Sequence, residues 1–239
     1  MKEKRNVVIS IIIKSLIIVF AIIGCILSYF QGYAGGKASF LYFTMQSNIW
    51  IACLDLVLII FMLINLKKQI YRLNDKFYLA QEIFTVSITL TGFTFCFILA
   101  PGFFIAPPEL TGNGYNPFAL YSIFLHMIVP ILSIIDFLVF VRDVKFKKFD
   151  FLYALTLPVY YVFFSLIGYF NNWDFGDGKN FPYFFLNYDS PAGFAEFSNE
   201  APYFMGSLYW LIIMVILVSF VSWLFIFIVN KISKKNKKI

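Results

Sequence analysis

Residues 118–141 read FALYSIFLHMIVPILSIIDFLVFV, 24 consecutive positions that contain one carboxylic acid, Asp136, and one imidazole, His126. As a helix this run spans about 36 Å at 1.5 Å per residue, enough to cross a hydrocarbon layer of roughly 30 Å. Lipid offers no hydrogen bonds to an exposed backbone, so only helices and closed barrels cross it, and an unbroken apolar run of this length selects the helix. Five further runs are similar, at about 7–30, 40–66, 80–100, 151–170 and 204–230. The expected fold is therefore all-α, a polytopic membrane protein of six transmembrane helices forming one domain over 1–239.

Composition agrees. Apolar residues make up 61% of the chain and charged residues 13%, with a mean hydropathy of +0.80, values outside the range of soluble globular domains. The first run follows a basic start but is longer than the 7–15-residue apolar region of a signal peptide, so it reads as an uncleaved span. Cys25, Cys53 and Cys96 all fall within spans, at spacings that suit neither a zinc site nor a disulfide framework, and read as small apolar fillers. The first three spans show no convincing repeat in the last three, which disfavours an inverted-repeat transporter architecture.

Orientation follows from the basic residues, which are retained on the cytoplasmic side. Lys2, Lys4 and Arg5 precede the first span; Lys67, Lys68, Arg72 and Lys76 follow the second. Arg142, Lys145, Lys147 and Lys148 follow the fourth, and Lys231, Lys234, Lys235, Lys237 and Lys238 end the chain. Only Lys37 and Lys179 fall on the other face. Both termini are expected in the cytoplasm. The net charge of +6 reflects this topology and contact with anionic lipid, and gives no reason to expect a nucleic-acid partner.

His126 is the only histidine of the chain. An ionisable group inside a span is costly and commonly lines a cavity, a relay or a reaction site. Ser122, His126 and Ser133 share one stripe of the fourth span; Thr44, Ser47, Asn48 and Asp55 share one stripe of the second. Both spans run in the same direction. Thr44 lies roughly 6 Å below the outer boundary and His126 roughly 12 Å, close enough to share one level. A threonine hydroxyl becomes a nucleophile when a base takes its proton, and histidine is the usual base. Thr44 and His126 are thus a candidate catalytic dyad, with Ser47, Asn48, Ser122 or a backbone N–H as candidate donors to substrate or a developing oxyanion. The competing reading is structural: Thr44 bonded to its own helix, and His126 holding helices together.

Deeper in the spans lie Lys14, Asp55, Glu82 and Asp136. The leading reading is a structural ion pair of Lys14 with one of the acids; the alternative is a proton or ion pathway. Asp136, ten residues from His126, sits about 80° around the helix from it and is not expected to touch it. The connection 171–203 carries Asp174, Asp177, Asp189, Glu196 and Glu200 among many aromatics. No known calcium-loop spacing occurs there, so it reads as an acidic rim over an aromatic belt, long enough to cap the bundle. No metal and no organic cofactor is implied.

The stretch Phe43-Thr44-Met45-Gln46-Ser47-Asn48 resembles the androgen-induced and androgen-dependent membrane protein family, particularly its bacterial six-span relatives. The resemblance continues through Thr91-Gly92-Phe93-Thr94, Leu99-Ala100-Pro101-Gly102, Asn116, Leu125-His126-Met127-Ile128-Val129-Pro130 with Asp136, Pro158-Val159-Tyr160-Tyr161, and Phe181-Pro182-Tyr183-Phe184-Phe185-Leu186-Asn187. Animal members are intramembrane threonine hydrolases that cleave fatty-acid esters of hydroxy fatty acids with one threonine and one histidine. The resemblance implies that these roles fall to Thr44 and His126, that the substrate is a lipid ester with a long acyl chain, and that the protein resides in a bacterial plasma membrane. The long acidic outer loop and the Gln46-Ser47-Asn48 sequence after the threonine depart from the animal pattern. The alternative function is a transporter or lipid-binding membrane protein in which His126, Asp55, Glu82 and Lys14 handle protons or a polar headgroup. Membrane lipids are the expected partners.

Overall fold

The structure, a computed structural model, describes residues 2–32, 34–101, 116–176, 178–189, 191–192 and 206–236. Six helices in it are long and apolar enough to cross a membrane, and no strand occurs among the described residues. They are α1 (Lys2–Gln31), α2 (Phe43–Lys67), α3 (Asp75–Leu99), α4 (Leu120–Phe140), α5 (Asp150–Phe170) and α6 (Ser207–Asn236). Helices α1, α3 and α6 run past the apolar segments expected from hydropathy, α3 starting five residues earlier at Asp75. Hydropathy marks only the lipid-matched stretch, and intrahelical hydrogen bonds carry the backbone on into polar surroundings.

Local chemistry sets the helix ends. Asn74 caps α3 by accepting from the Lys76 N–H at 3.0 Å. Helix α2 stops where Gln69 takes a φ of 59° and its N–H turns back to the Leu66 carbonyl. Gly35 and Gly36, with φ of 53° and 50°, swing the chain from α1 into a 3-10 turn at Gly36–Leu41 that delivers α2. Helix α5 begins as a 3-10 turn and becomes α-helical at Thr156, with Pro158 in its first turn, where a missing N–H costs nothing.

The distribution of polarity is inverted relative to a soluble bundle. Ile12, Val19, Ile26, Leu56, Ile60, Ile131, Phe163, Ile212, Ile216 and Phe220 are exposed, whereas Ser10, Lys14, Asn48, Asp55, Gln81, Glu82, His126 and Asp136 are buried. A lipid solvent demands this arrangement, because polar groups there can be satisfied only inside the bundle. Cys53 and Cys96 also lie on the exposed face and Cys25 is half-buried, so the expectation of small apolar fillers in the packing is not met for the first two.

Helix α1 packs on α2 and α4, α3 packs on α2, α4 and α6, and α6 also meets the start of α5 and the turn Phe184–Leu186. Three apolar clusters stack along the bundle. At one end Val7, Met62, Val141, Val144 and Val229 pack together, so both chain ends and both basic turns share this basic end. At the opposite end Phe43, Tyr161, Phe185 and Leu186 form a second cluster. Between them Ile17, Ala21, Ile51, Ile88 and Val129, all 0–1% exposed, make an apolar middle cluster.

Candidate active site

Thr44 is the second residue of α2, and its hydroxyl lies 3.2 Å from Nε2 of His126 on α4. The other ring nitrogen assigns the direction of that bond. Nδ1 lies 3.0 Å from the Ser122 carbonyl oxygen, which can only accept, so Nδ1 carries the hydrogen of the neutral ring. Nε2 then holds the lone pair, and the Thr44 hydroxyl donates to it. Ser122 Oγ lies 3.2 Å from the same Nδ1, and Phe95 of α3 stacks on the imidazole at 4.4 Å between ring centres and 17° between planes. The ring is thereby held on three sides with its basic nitrogen toward Thr44.

Two widened turns build this geometry. Helix α4 makes a π-turn over Phe124–Ile128, in which the Val129 N–H bonds the Phe124 carbonyl. Pro130 follows directly; it has no N–H for the His126 carbonyl, and its ring would strike that carbonyl in a regular α-helix. The extra residue in the turn relieves the conflict and rotates His126 inward. Helix α3 makes a matching π-turn over Phe95–Leu99, which presents Phe95 to the imidazole. Gly92 permits the close approach: a Cβ there would meet the His126 carbonyl oxygen at 2.9 Å and Pro130 Cβ at 3.0 Å. Alanine is a better helix former than glycine in isolation, yet Gly92→Ala is expected to destabilise the folded protein by about 1–3 kcal/mol through overpacking. Thermal unfolding in detergent checks this; a stability equal to or above wild type would refute the close approach.

A distant cluster sets the vertical register of the dyad. Lys14 of α1 binds Asp136 of α4 at 2.5 Å and Asp55 of α2 at 3.1 Å, so these two acids lie at one level. Thr44 is eleven residues from Asp55 and His126 ten from Asp136. On helices running the same way these intervals correspond to rises of roughly 16 Å and 15 Å. The dyad is level because the cluster is.

The remaining predicted positions separate into distinct roles. Ser47 bonds the Thr91 hydroxyl at 2.8 Å and its own helix at the Thr44 carbonyl, tying α2 to α3. Asn48 gives both amide hydrogens away, to the Thr44 carbonyl at 2.8 Å and the Leu125 carbonyl at 3.1 Å. With that donor capacity used, Asn48 braces the dyad and has no hydrogen left for an oxyanion. Ser122 is fully buried behind the ring, not facing the space beside Thr44. Ser133 bonds its own helix at the Val129 carbonyl. Asp136 also accepts from Ser10 and Gln81, each at 2.6 Å, and makes no contact with His126. The ion pair of Lys14 thus engages two acids rather than one. Glu82 takes no part in it: its carboxylate accepts from Ser222 of α6.

Tyr183 was not singled out by sequence reasoning as a site residue, because it lies 139 residues from Thr44 within an aromatic run that reads as a membrane-surface belt. The segment 181–188 folds over the end of the bundle, with the Tyr183 ring stacked on Phe185 at 4.9 Å and edge-on to Tyr42 at 5.4 Å. Its hydroxyl oxygen accepts from the Thr44 N–H at 3.4 Å, one of the unpaired donors of the first turn of α2. Burial raises the Tyr183 phenol above its ordinary range, which keeps it protonated and able to donate. Thr44 and Tyr183 share a cavity of about 70 Å³ whose other walls are almost wholly apolar, from Leu90, Thr94 and Leu99 of α3, Pro158 and Tyr161 of α5, and Leu211 and Met214 of α6.

In the acidic loop, Asp174 accepts from the N–H groups of Gly176 and Gly178, and Asp189 accepts from Tyr169, while Asp177, Glu196 and Glu200 lie outside the described residues. Among the described residues no group of three or more His, Cys, Asp or Glu side chains converges. Compared with protein families, curated proteins and solved structures, the chain matches none.

Proposed function

We propose that the protein is an intramembrane hydrolase of lipid esters, with Thr44 as nucleophile and His126 as base. The observation that carries this reading is the directed bond from the Thr44 hydroxyl to a Nε2 whose lone pair is freed by the Ser122 carbonyl. A threonine bonded only to its own helix would lack this bond, and a lone pair directed at the hydroxyl is what activation of a nucleophile requires.

The chemistry follows from the geometry. Nε2 takes the Thr44 proton as Oγ1 attacks the ester carbonyl, and the imidazolium returns it to the departing alkoxide, leaving an acyl-threonine and a free alcohol. A water molecule then gives one proton to Nε2 while its oxygen attacks the acyl carbon; Thr44 regains the proton and the fatty acid leaves. The carbonyl oxygen becomes anionic in both steps; the Thr44 N–H is engaged by Tyr183, whose hydroxyl keeps its own hydrogen as the donor to that charge. The cavity between α3, α5 and α6 has almost wholly apolar walls and, at about 70 Å³, takes only the few methylenes next to the ester carbonyl, with the rest of the acyl chain left in the bilayer. Fatty-acid esters of hydroxy fatty acids are the substrate class that the family resemblance suggests, and a bacterial plasma membrane is the location.

The alternative of transport across the membrane calls for polar continuity between the two ends. The apolar cluster of Ile17, Ala21, Ile51, Ile88 and Val129 lies between the Lys14 cluster and the dyad and favours the hydrolase. Hydrolysis of long-chain esters by the purified protein, compared with Thr44→Ala and His126→Ala, tests the proposal. Tyr183→Phe is expected to lower kcat about 10²-fold with little change in KM, because the lost donor acts on charge that develops only in the transition state. An unchanged kcat would remove Tyr183 from the mechanism without touching the dyad.

A further inference from the structure

A second cavity, of about 230 Å³, opens at the basic end between α1, α2, α3 and the end of α4. Glu3, Arg72, Arg142 and Asp143 line it together with Ser10, Lys14 and Gln81, which are 1–4% exposed. Those last three side chains are the ones that donate to Asp136. The cavity therefore reaches the buried ion cluster from the basic end of the bundle, with the apolar middle cluster between it and the Thr44–His126 pair.

The cluster is not neutral with every member ionised. Asp136 receives three donors, one of them the Lys14 ammonium at 2.5 Å, and these two charges balance. Asp55 has only a share of the same ammonium at 3.1 Å, and its Oδ2 is buried with no hydrogen-bond partner among the described residues. The groups that face Asp55 are Lys14 from α1 and Asp136 from α4, while α3 brings the neutral Gln81 to the cluster. Two carboxylates against one ammonium leave a surplus negative charge in surroundings that cannot solvate it.

We propose that Asp55 is a proton-binding site that exchanges with solution at the basic end through this cavity, independently of any ester chemistry at Thr44. With a proton on Asp55 the cluster is neutral. The relay conserves charge: Lys14 passes one ammonium proton to a solvent molecule in the cavity and takes the Asp55 proton in its place. Proton release leaves a surplus negative charge on Asp55, which Lys14 attracts and Asp136 repels, so the charge of the cluster follows pH on the basic side.

Infrared spectra of the whole protein in lipid nanodiscs, in H2O and D2O, test the proposal. A protonated-carboxyl band that shifts promptly in D2O is expected in the wild type, is lost in Asp55→Asn and is retained in Glu82→Gln, which reports on the other buried acid. Asp55→Glu, which keeps the acid, should move the band rather than remove it, and serves if the asparagine variant does not fold. Asn65→Trp, at the cavity wall, should slow the isotope shift. Persistence of the band in Asp55→Asn would overturn the assignment, as would an Asp55 band that does not exchange. Carboxylate bands that respond to sodium or potassium would overturn it in favour of a metal cation.

Discussion

Thr44→Ala and His126→Ala are each expected to lower long-chain ester hydrolysis by the purified protein about 10³-fold or more, the loss typical when a nucleophile or its base is removed. The two losses should not add. With Thr44 gone, His126 has no proton to take, so the double variant should be no worse than the single ones. Thr44→Ser keeps the hydroxyl and should retain measurable turnover. Ser122→Ala should cost little, because Nδ1 keeps the backbone carbonyl at 3.0 Å. Thr44→Ala gives up a neutral hydrogen bond of about 1 kcal/mol, whereas His126→Ala also removes the ring on which Phe95 stacks, so thermal unfolding of each variant accompanies the assay. Equal activity in wild type and both variants would remove the dyad, and an inactive wild type across a broad ester panel would move the function to transport or lipid binding.

Lys14→Met is expected to be the most destabilising substitution, by about 3–5 kcal/mol, because it leaves Asp55 and Asp136 buried together without their shared cation. Unfolding equilibria in mixed micelles would measure it. Adding Asp55→Asn and Asp136→Asn to Lys14→Met should recover much of the loss, since an uncharged set no longer requires the ammonium. A Lys14→Met protein as stable as wild type would show that the cluster does not hold α1, α2 and α4 in register. The same substitution should reduce hydrolysis without touching Thr44 or His126, because the level of both is measured from the cluster, and an error of about one ångström between nucleophile and base is costly.

The six helices were legible in the chain because the demand of lipid is local: a run of about 20 apolar residues declares itself without reference to any other segment. So was the pairing of Thr44 with His126 at the level of depth, since counting residues along two co-directional spans needs no tertiary information. The stripes of Ser47, Asn48 and Asp55, and of Ser122, His126 and Ser133, do face the interior, as helical periodicity requires.

Tertiary structure decided the rest. Which acids join Lys14 depended on how α1 lies against α2 and α4: Asp55 and Asp136 both reach it, and Glu82 turns to Ser222 on α6. Local pattern did not indicate that Asn48 would spend both hydrogens on carbonyls, one of them 77 residues away. Nor did it indicate the π-turns that rotate His126 and Phe95 toward each other, although Pro130 and Gly92 are the residues that permit them. Tyr183 reaches the Thr44 N–H only because the segment 181–188 folds over the bundle. Hydrophobic run length and periodicity are properties of one helix, and they determine what spans and which face turns inward. The partner a polar group finds inside depends on the rotation and approach of several helices at once, which packing alone sets.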